Sequence, residues 1–279
     1  MNEEKIRKYV RERYAGIARK GSSCCDPGAS CCTGGTPDTV GRSIGYSGEE
    51  LKAAPQGANL GLGCGNPLAF ASLREGETVL DLGSGAGFDC FLAARAVGPS
   101  GRVIGVDMTP EMLEKARENA RKGNYDNVEF RLGEIENLPA ADNSVDAVIS
   151  NCVINLSTAK VRVFAETYRV LNPGGRVMIS DLVLSRDLPV AVAGSLAAYA
   201  GCIAGAVRKD DYLRLMESAG FRDIRIVQED QFRFPIDESD PYAQNIAGNF
   251  KIPMETLREA AGAILSVCLF GIKPAQPDS

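Results

Sequence analysis

The 279-residue sequence contains no histidine and no tryptophan. Without histidine, Ser-His-Asp and Cys-His nucleophile systems, HExxH sites and every His-ligated metal are excluded. Basic charge is in short supply: 31 Lys and Arg face 36 Asp and Glu, a net charge of −5. That balance argues against a nucleic-acid partner, which leaves a basic footprint. No secretory leader pattern opens the chain, because Met1 to Lys20 is charged throughout. A cytoplasmic address is expected, where thiols stay reduced. One uncharged run, Leu188 to Val207, is 20 residues long and could span a bilayer. It holds seven Ala, three Gly and one Pro but only six large aliphatics, so a buried or lid helix is expected and no membrane span. With 44% hydrophobic and 24% charged residues the composition is that of a globular protein. A chain of this length buries roughly three quarters of its unfolded surface and needs no disulfide or metal staple.

Against these absences stand nine cysteines. The number is odd, so complete internal pairing is impossible.

Residues 3–20 place Ile6, Tyr9, Val10, Tyr14 and Ile17 at helical spacing among Arg, Lys and Glu. Residues 21–48 are rich in Gly, Ser, Cys and Pro and are expected to be loop. A short helix around 49–54 precedes a Gly-rich turn. From Glu77 onward strands and helices alternate. Strands are expected at 78–82, 101–107, 128–132, 145–150 and 176–181, with helices at 88–97, from Thr109-Pro110, and at 160–171. Pro at the first turn after a Thr suits a helix start. A helix at 210–219 and strands at 224–227 and 263–272 complete the pattern. The alternation predicts an α/β fold: a largely parallel sheet covered by helices on both faces.

The strongest motif is Val79-Leu-Asp-Leu-Gly-Ser-Gly-Ala-Gly87, a strand entering a Gly-rich turn and then a helix. Glycine lets the backbone approach a ligand where a Cβ would clash. Asp107 follows Gly83 by 24 residues, at the end of the next strand, where a carboxylate suits a ribose diol. A dinucleotide site, or merely a tight packing turn, would read the same way. Asp81 before the turn, Leu132-Gly-Glu-Ile-Glu-Asn-Leu-Pro139 after the third strand and Asn172-Pro-Gly-Gly175 before the fifth narrow the choice. Together they resemble the class I S-adenosylmethionine-dependent methyltransferases, with their Rossmann-like sheet, over about residues 70–185. The resemblance implies that Asp81, Gly83, Ser84 and Gly85 wrap the amino-acid part of the cofactor. It implies that Asp107 holds the ribose, Met108 packs on the adenine, and Ile135 and Glu136 line its edge. Asn151 would lie beside the sulfonium.

The cysteines divide by setting. Cys90 and Cys268 sit in apolar patterns and read as small buried hydrophobes. Cys24-Cys25 and Cys31-Cys32 crowd four thiols into nine residues of polar loop. Adjacent doublets lack the C-x-x-C spacing of zinc ribbons, which weakens a structural zinc site without removing it. Cys64 lies in Leu62-Gly-Cys-Gly-Asn-Pro67, Cys152 in Ser150-Asn-Cys-Val-Ile-Asn-Leu156, and Cys202 in Ala200-Gly-Cys-Ile-Ala-Gly-Ala206. Ligands of open parallel sheets bind beyond the carboxyl ends of the strands, which puts Cys152 at the transfer end of the pocket.

These three motifs, in this order around the Gly-rich turn, resemble the arsenite methyltransferases along nearly the whole chain. The resemblance implies Cys64, Cys152 and Cys202 as arsenic-binding and catalytic thiols, joined by a further N-terminal cysteine, Cys32 or Cys31. Its substrates would be arsenite and methylated trivalent arsenicals, its donor S-adenosylmethionine, and its co-substrate a thiol reductant such as thioredoxin or glutathione. A monomer is expected. Residues 1–66 would form a helix and Cys-rich loop contributing to the arsenic site, 67–186 the cofactor domain, and 187–279 a lid and the closing strands. Trivalent arsenic is thiophilic, takes three ligands in a pyramid, and keeps a lone pair at the apex. No proton leaves that nucleophile on methylation, so no His or other base is required. Two other readings are a methyltransferase acting on another small acceptor and a non-catalytic thiol protein that binds or senses metalloids.

Overall fold

The computed structural model describes residues 2–20, 36–232 and 253–275. Helix α1 (Glu3–Lys20) opens with Glu3 and Glu4 and closes with Arg19 and Lys20, matching the helix dipole at both ends. It buries Ile6, Val10, Ala15, Ile17 and Ala18 along one stripe. Two short helices follow, α2 (Pro37–Ser43) and α3 (Gly48–Ala53). The loop expected over 21–48 therefore contains a helix. The Thr36 hydroxyl caps the Thr39 amide and Pro37 stands in the first turn, a local start signal that outweighs the Gly and Ser content. Helix α3 carries a full capping box between Ser47 and Glu50. A four-residue helix, α4 (Leu68–Ala71), leads to the sheet.

Among the described residues seven strands form the sheet: β1 (Thr78–Leu82), β2 (Arg102–Asp107), β3 (Val128–Leu132), β4 (Val145–Asn151), β5 (Leu171–Leu184), β6 (Arg222–Gln231) and β7 (Ile264–Ile272). Their order is β3-β2-β1-β4-β5-β7-β6. The first five run parallel, and β7 inserts antiparallel between β5 and β6. Strand β5 begins at Leu171, five residues before the expected start. Its pairing with β4 slips between Val145 and Ala147 to absorb the Asn172–Gly175 turn.

Helices α5 (Phe88–Val97), α6 (Pro110–Gly123), α7 (Lys160–Val170) and α10 (Lys209–Ala219) flank the sheet. Val79, Leu80 and Leu82 of β1 are all fully buried, as a central strand covered on both faces requires. The uncharged 188–207 run is not one helix. It breaks into α8 (Val190–Ala193) and α9 (Leu196–Ala200), each ended by a glycine, Gly194 and Gly201. No described helix is long and apolar enough to cross a membrane. Helix α1 lies over the carboxyl edge of the sheet. It packs with Met112 of α6 and with Tyr199 and Ala200 of α9. Arg7 and Arg11 reach from it to Glu134 beyond β3, at 3.7 and 3.3 Å.

Candidate functional site

A cavity lined by described residues runs along that edge. One end is bounded by Gly83–Gly85, Asp107 and Met108, the other by Cys64, Cys152 and Cys202. The Gly-rich turn exists because β1 must reverse into α5 at once. Gly83 has φ +69°, and a Cβ there would lie 2.4 Å from Val153 Cγ2. Gly85 has φ +52° and open space where its Cβ would be, so its backbone faces the cavity bare.

Asp107 closes β2. One of its carboxylate oxygens accepts from the Gly85 amide at 3.0 Å and the other from the Thr109 amide at 2.8 Å. A carboxylate offers about four acceptor sites, so capacity remains for a diol. Burial pushes the Asp107 carboxyl up, and these backbone donors pull it back. Met108 packs against the cluster formed by α1 and α9. Ile135 is buried, and Glu136 accepts from the Ser157 hydroxyl at 2.5 Å; both line the cavity. Three observations test whether the residues fit a zwitterionic nucleoside such as S-adenosylmethionine. The buried Ser84 hydroxyl has no hydrogen-bond partner among the described residues. Asp81 and Asp89, also on the cavity wall, have no cationic partner among the described residues. The open Gly85 face gives a bulky ligand access to backbone. The residues fit.

Asn151, at the tip of β4, lines the cavity with both side-chain ends engaged. Its carbonyl accepts from the Cys64 amide at 3.1 Å. Its amide donates to Tyr46 Oη at 2.9 Å, the Gly65 carbonyl at 2.8 Å and Asp89 at 3.2 Å. The residue therefore braces the Cys64 turn to α5. On the other side the Ser266 hydroxyl of β7 donates to the Cys64 carbonyl at 2.7 Å.

The thiols of Cys64, Cys152 and Cys202 come together from three separate segments. The sulfurs of Cys64 and Cys152 and a carboxylate oxygen of Asp181 all lie within 4.8 Å of one another. Cys202 Sγ donates to the Cys152 carbonyl at 2.9 Å. Cys152 and Cys202 have φ of +57° and +63°, left-handed values that side-chain-bearing residues seldom adopt. Such strain gathers where a side chain must be aimed. Burial pushes the Cys64 thiol up. Contact with Cys202 pulls Cys152 down, but the hydrogen bond with Cys64 and burial outweigh it and hold that thiol well above the usual range.

Asp181 was not singled out from the sequence beyond ending a strand. It is fully buried. It accepts from Asn155 Nδ2 at 2.8 Å, the Leu182 amide at 2.9 Å and Tyr212 Oη at 3.0 Å. Burial raises its carboxyl to about 6, against the pull of these donors and of Lys160. Tyr46, Asp89 and Ser266 were missed as well. Asp181 closes the strand expected at 176–181, a usable signal although β5 runs on to Leu184, whereas Tyr46 and Ser266 have none. Cys90 and Cys268 are buried in the core around β1 and β5. The Cys24-Cys25 and Cys31-Cys32 doublets, with any part of Cys31 or Cys32 in the site, lie outside the described residues.

A methyltransferase domain family matches residues 73–220. The arsenite methyltransferase of Halobacterium salinarum is 54% identical over 235 residues, 82% of this chain and 60% of its own length. That of Aquipseudomonas alcaligenes is 41% identical over 203 residues, 70% of this chain and 57% of its own length. Thus the chain spans only about three fifths of these curated relatives. A solved arsenic(III) S-adenosylmethionine methyltransferase from Chlamydomonas reinhardtii superposes with a TM-score of 0.63 at 36% identity, covering 85% of this chain and 74% of that one. The match extends beyond the cofactor half to the segments that carry Cys64 and Cys202, so the chain belongs to the arsenite methyltransferases, within the class I S-adenosylmethionine-dependent methyltransferases.

Proposed function

We propose that the protein transfers a methyl group from S-adenosylmethionine to trivalent arsenic held by Cys64, Cys152 and Cys202. The convergence of three thiols, Cys64 and Cys202 buried and Cys152 half-buried, on a cavity that the Gly-rich turn also lines carries this reading. Loading is a ligand exchange. Each thiol forms an S–As bond, and its proton leaves with one hydroxyl of arsenite as water. The raised Cys64 and Cys152 thiols are therefore suited to the step, since each arrives with the proton it must deliver. Three sulfurs fix the pyramid, and the arsenic lone pair points away from them. Soft thiolates select this soft centre.

When bound, S-adenosylmethionine supplies an electrophilic methyl on a sulfonium. Asp81, Gly83, Ser84 and Gly85 hold the amino-acid part, Asp107 the ribose, and Met108, Ile135 and Glu136 the adenine. The part given to Asn151 is to hold the Cys64 turn against that end of the cavity. Alignment of acceptor and donor is the main contribution of the protein, and positioning of this kind supplies much of a displacement barrier. Methylation leaves arsenic formally pentavalent. Two electrons from a dithiol such as thioredoxin, or from two glutathione molecules, return it to the trivalent state with formation of a disulfide. A cytoplasmic monomer meets these needs without a partner subunit. The test is incubation with arsenite, S-adenosylmethionine and a thiol, followed by arsenic speciation. Methylated arsenicals and a matching yield of S-adenosylhomocysteine are expected, and cofactor turnover without methylated arsenic overturns the proposal.

A further inference from the structure

Two carboxylates, Asp81 on β1 and Asp89 in the first turn of α5, face the same end of the cavity. Both are buried, at 3% and 8% exposure. Neither forms an ion pair with a described residue. A buried carboxylate without a cation is costly, and a second beside it more so. Burial raises Asp89 to about 6, and burial together with Asp89 raises Asp81 well above its ordinary value. The pair is thus unsatisfied as it stands, and a cation in the cavity would relieve it.

The two acids are not equivalent. Asp81 lies deeper and accepts from the Cys90 thiol at 3.2 Å. Asp89 is fixed from two sides. One oxygen accepts from Tyr46 Oη at 2.5 Å and the other from Asn151 Nδ2 at 3.2 Å. Two of its acceptor sites remain, held rigidly in the wall. The orphaned Ser84 hydroxyl lies on the same turn. It is a donor, suited to a carboxylate, and Asp89 is an acceptor suited to an ammonium. An α-amino acid headgroup carries both.

We infer that Asp89, locked by Tyr46 and Asn151, is the residue that receives the α-ammonium group of the nucleoside cofactor. This rests on the donor reading above. It makes Asp89 a specificity determinant: the pocket distinguishes nucleosides with an amino-acid tail from those without one.

Calorimetry with three nucleosides tests it: S-adenosylmethionine, S-adenosylhomocysteine and 5′-methylthioadenosine, which lacks the amino-acid tail. In Asp89→Asn the first two should weaken equally, by about ten- to a hundredfold, the worth of a hydrogen bond to a charged group. Binding of 5′-methylthioadenosine should stay within about twofold. Asp89→Ser serves as a second variant should the amide perturb folding, with circular dichroism as the check. Unchanged S-adenosylhomocysteine affinity overturns the inference. So does an equal loss for 5′-methylthioadenosine, which would make Asp89 structural, or a loss for S-adenosylmethionine alone, which would place it at the sulfonium. A wild-type protein that binds none of the three sinks the donor reading itself.

Discussion

Replacing Asp181 by Asn tests the electrostatics of the thiol chamber. The carboxyl is fully buried, and burial raises it from 3.8 to about 6. Its folded-state pKa lies above the unfolded value. Its contribution is therefore intact below pH 4 and is lost as the pH rises through about 6. At 1.36 kcal/mol per unit, the ionised group costs the folded state about 3 kcal/mol at pH 7.5 and about half that at pH 5. Asn removes the charge but cannot accept from Tyr212 with its amide, a loss of about 1.5–3 kcal/mol at either pH. The variant should lie between wild-type stability and about 1.5 kcal/mol above it at pH 7.5, and between wild-type stability and about 1.5 kcal/mol below it at pH 5. Urea denaturation of the reduced, ligand-free proteins at both pH values measures this. Asp81 and Asp89 titrate in the same direction, but they are present in both proteins and cancel in the comparison. A difference that is the same at both pH values, or more unfavourable to the variant at pH 7.5, refutes the reasoning.

Cys152→Ser and Cys202→Ser should each abolish arsenic methylation with the fold retained by circular dichroism, whereas Cys90→Ser and Cys268→Ser should keep turnover and lose only stability. A Cβ on Gly65 would lie 2.0 Å from Ser180 Oγ. Gly65→Ala should therefore push the Cys64 turn off β5 and weaken arsenite binding at least about tenfold, with partial recovery in Gly65→Ala/Ser180→Ala, read by calorimetry. Methylarsonous acid has two exchangeable positions where arsenite has three, so it needs only two thiols. Cys64→Ser should accordingly slow arsenite methylation far more than methylarsonous acid methylation, and equal proportional loss in paired initial rates would refute the valence argument.

The parallel half of the fold was legible because β1, β2 and β4 are buried on both faces and read as apolar runs, β1 followed by Gly83, β2 closed by Asp107 and β4 by Asn151. The antiparallel insertion of β7 was not, since strand direction leaves no mark in a period-two pattern. Helix α2 was hidden by a Gly- and Ser-rich neighbourhood, although Thr36-Pro37 marked its start. The 188–207 run is uniformly small and apolar, and only its glycines hinted at two short helices. Among site residues, Asp107 and the three cysteines carried their own motifs. Tyr46, Asp89 and Ser266 act through contacts between segments 43 to 202 residues apart, which no local pattern encodes.

The central claim is that three thiols from separate segments bind one arsenic atom. Arsenic K-edge X-ray absorption on the arsenite-loaded protein, without cofactor, tests it most directly. Three sulfur neighbours and no oxygen are predicted for wild type, falling to two sulfurs and one oxygen in Cys202→Ser. A wild-type arsenic that keeps oxygen ligands, or a Cys202→Ser protein that still shows three sulfurs, would contradict the account.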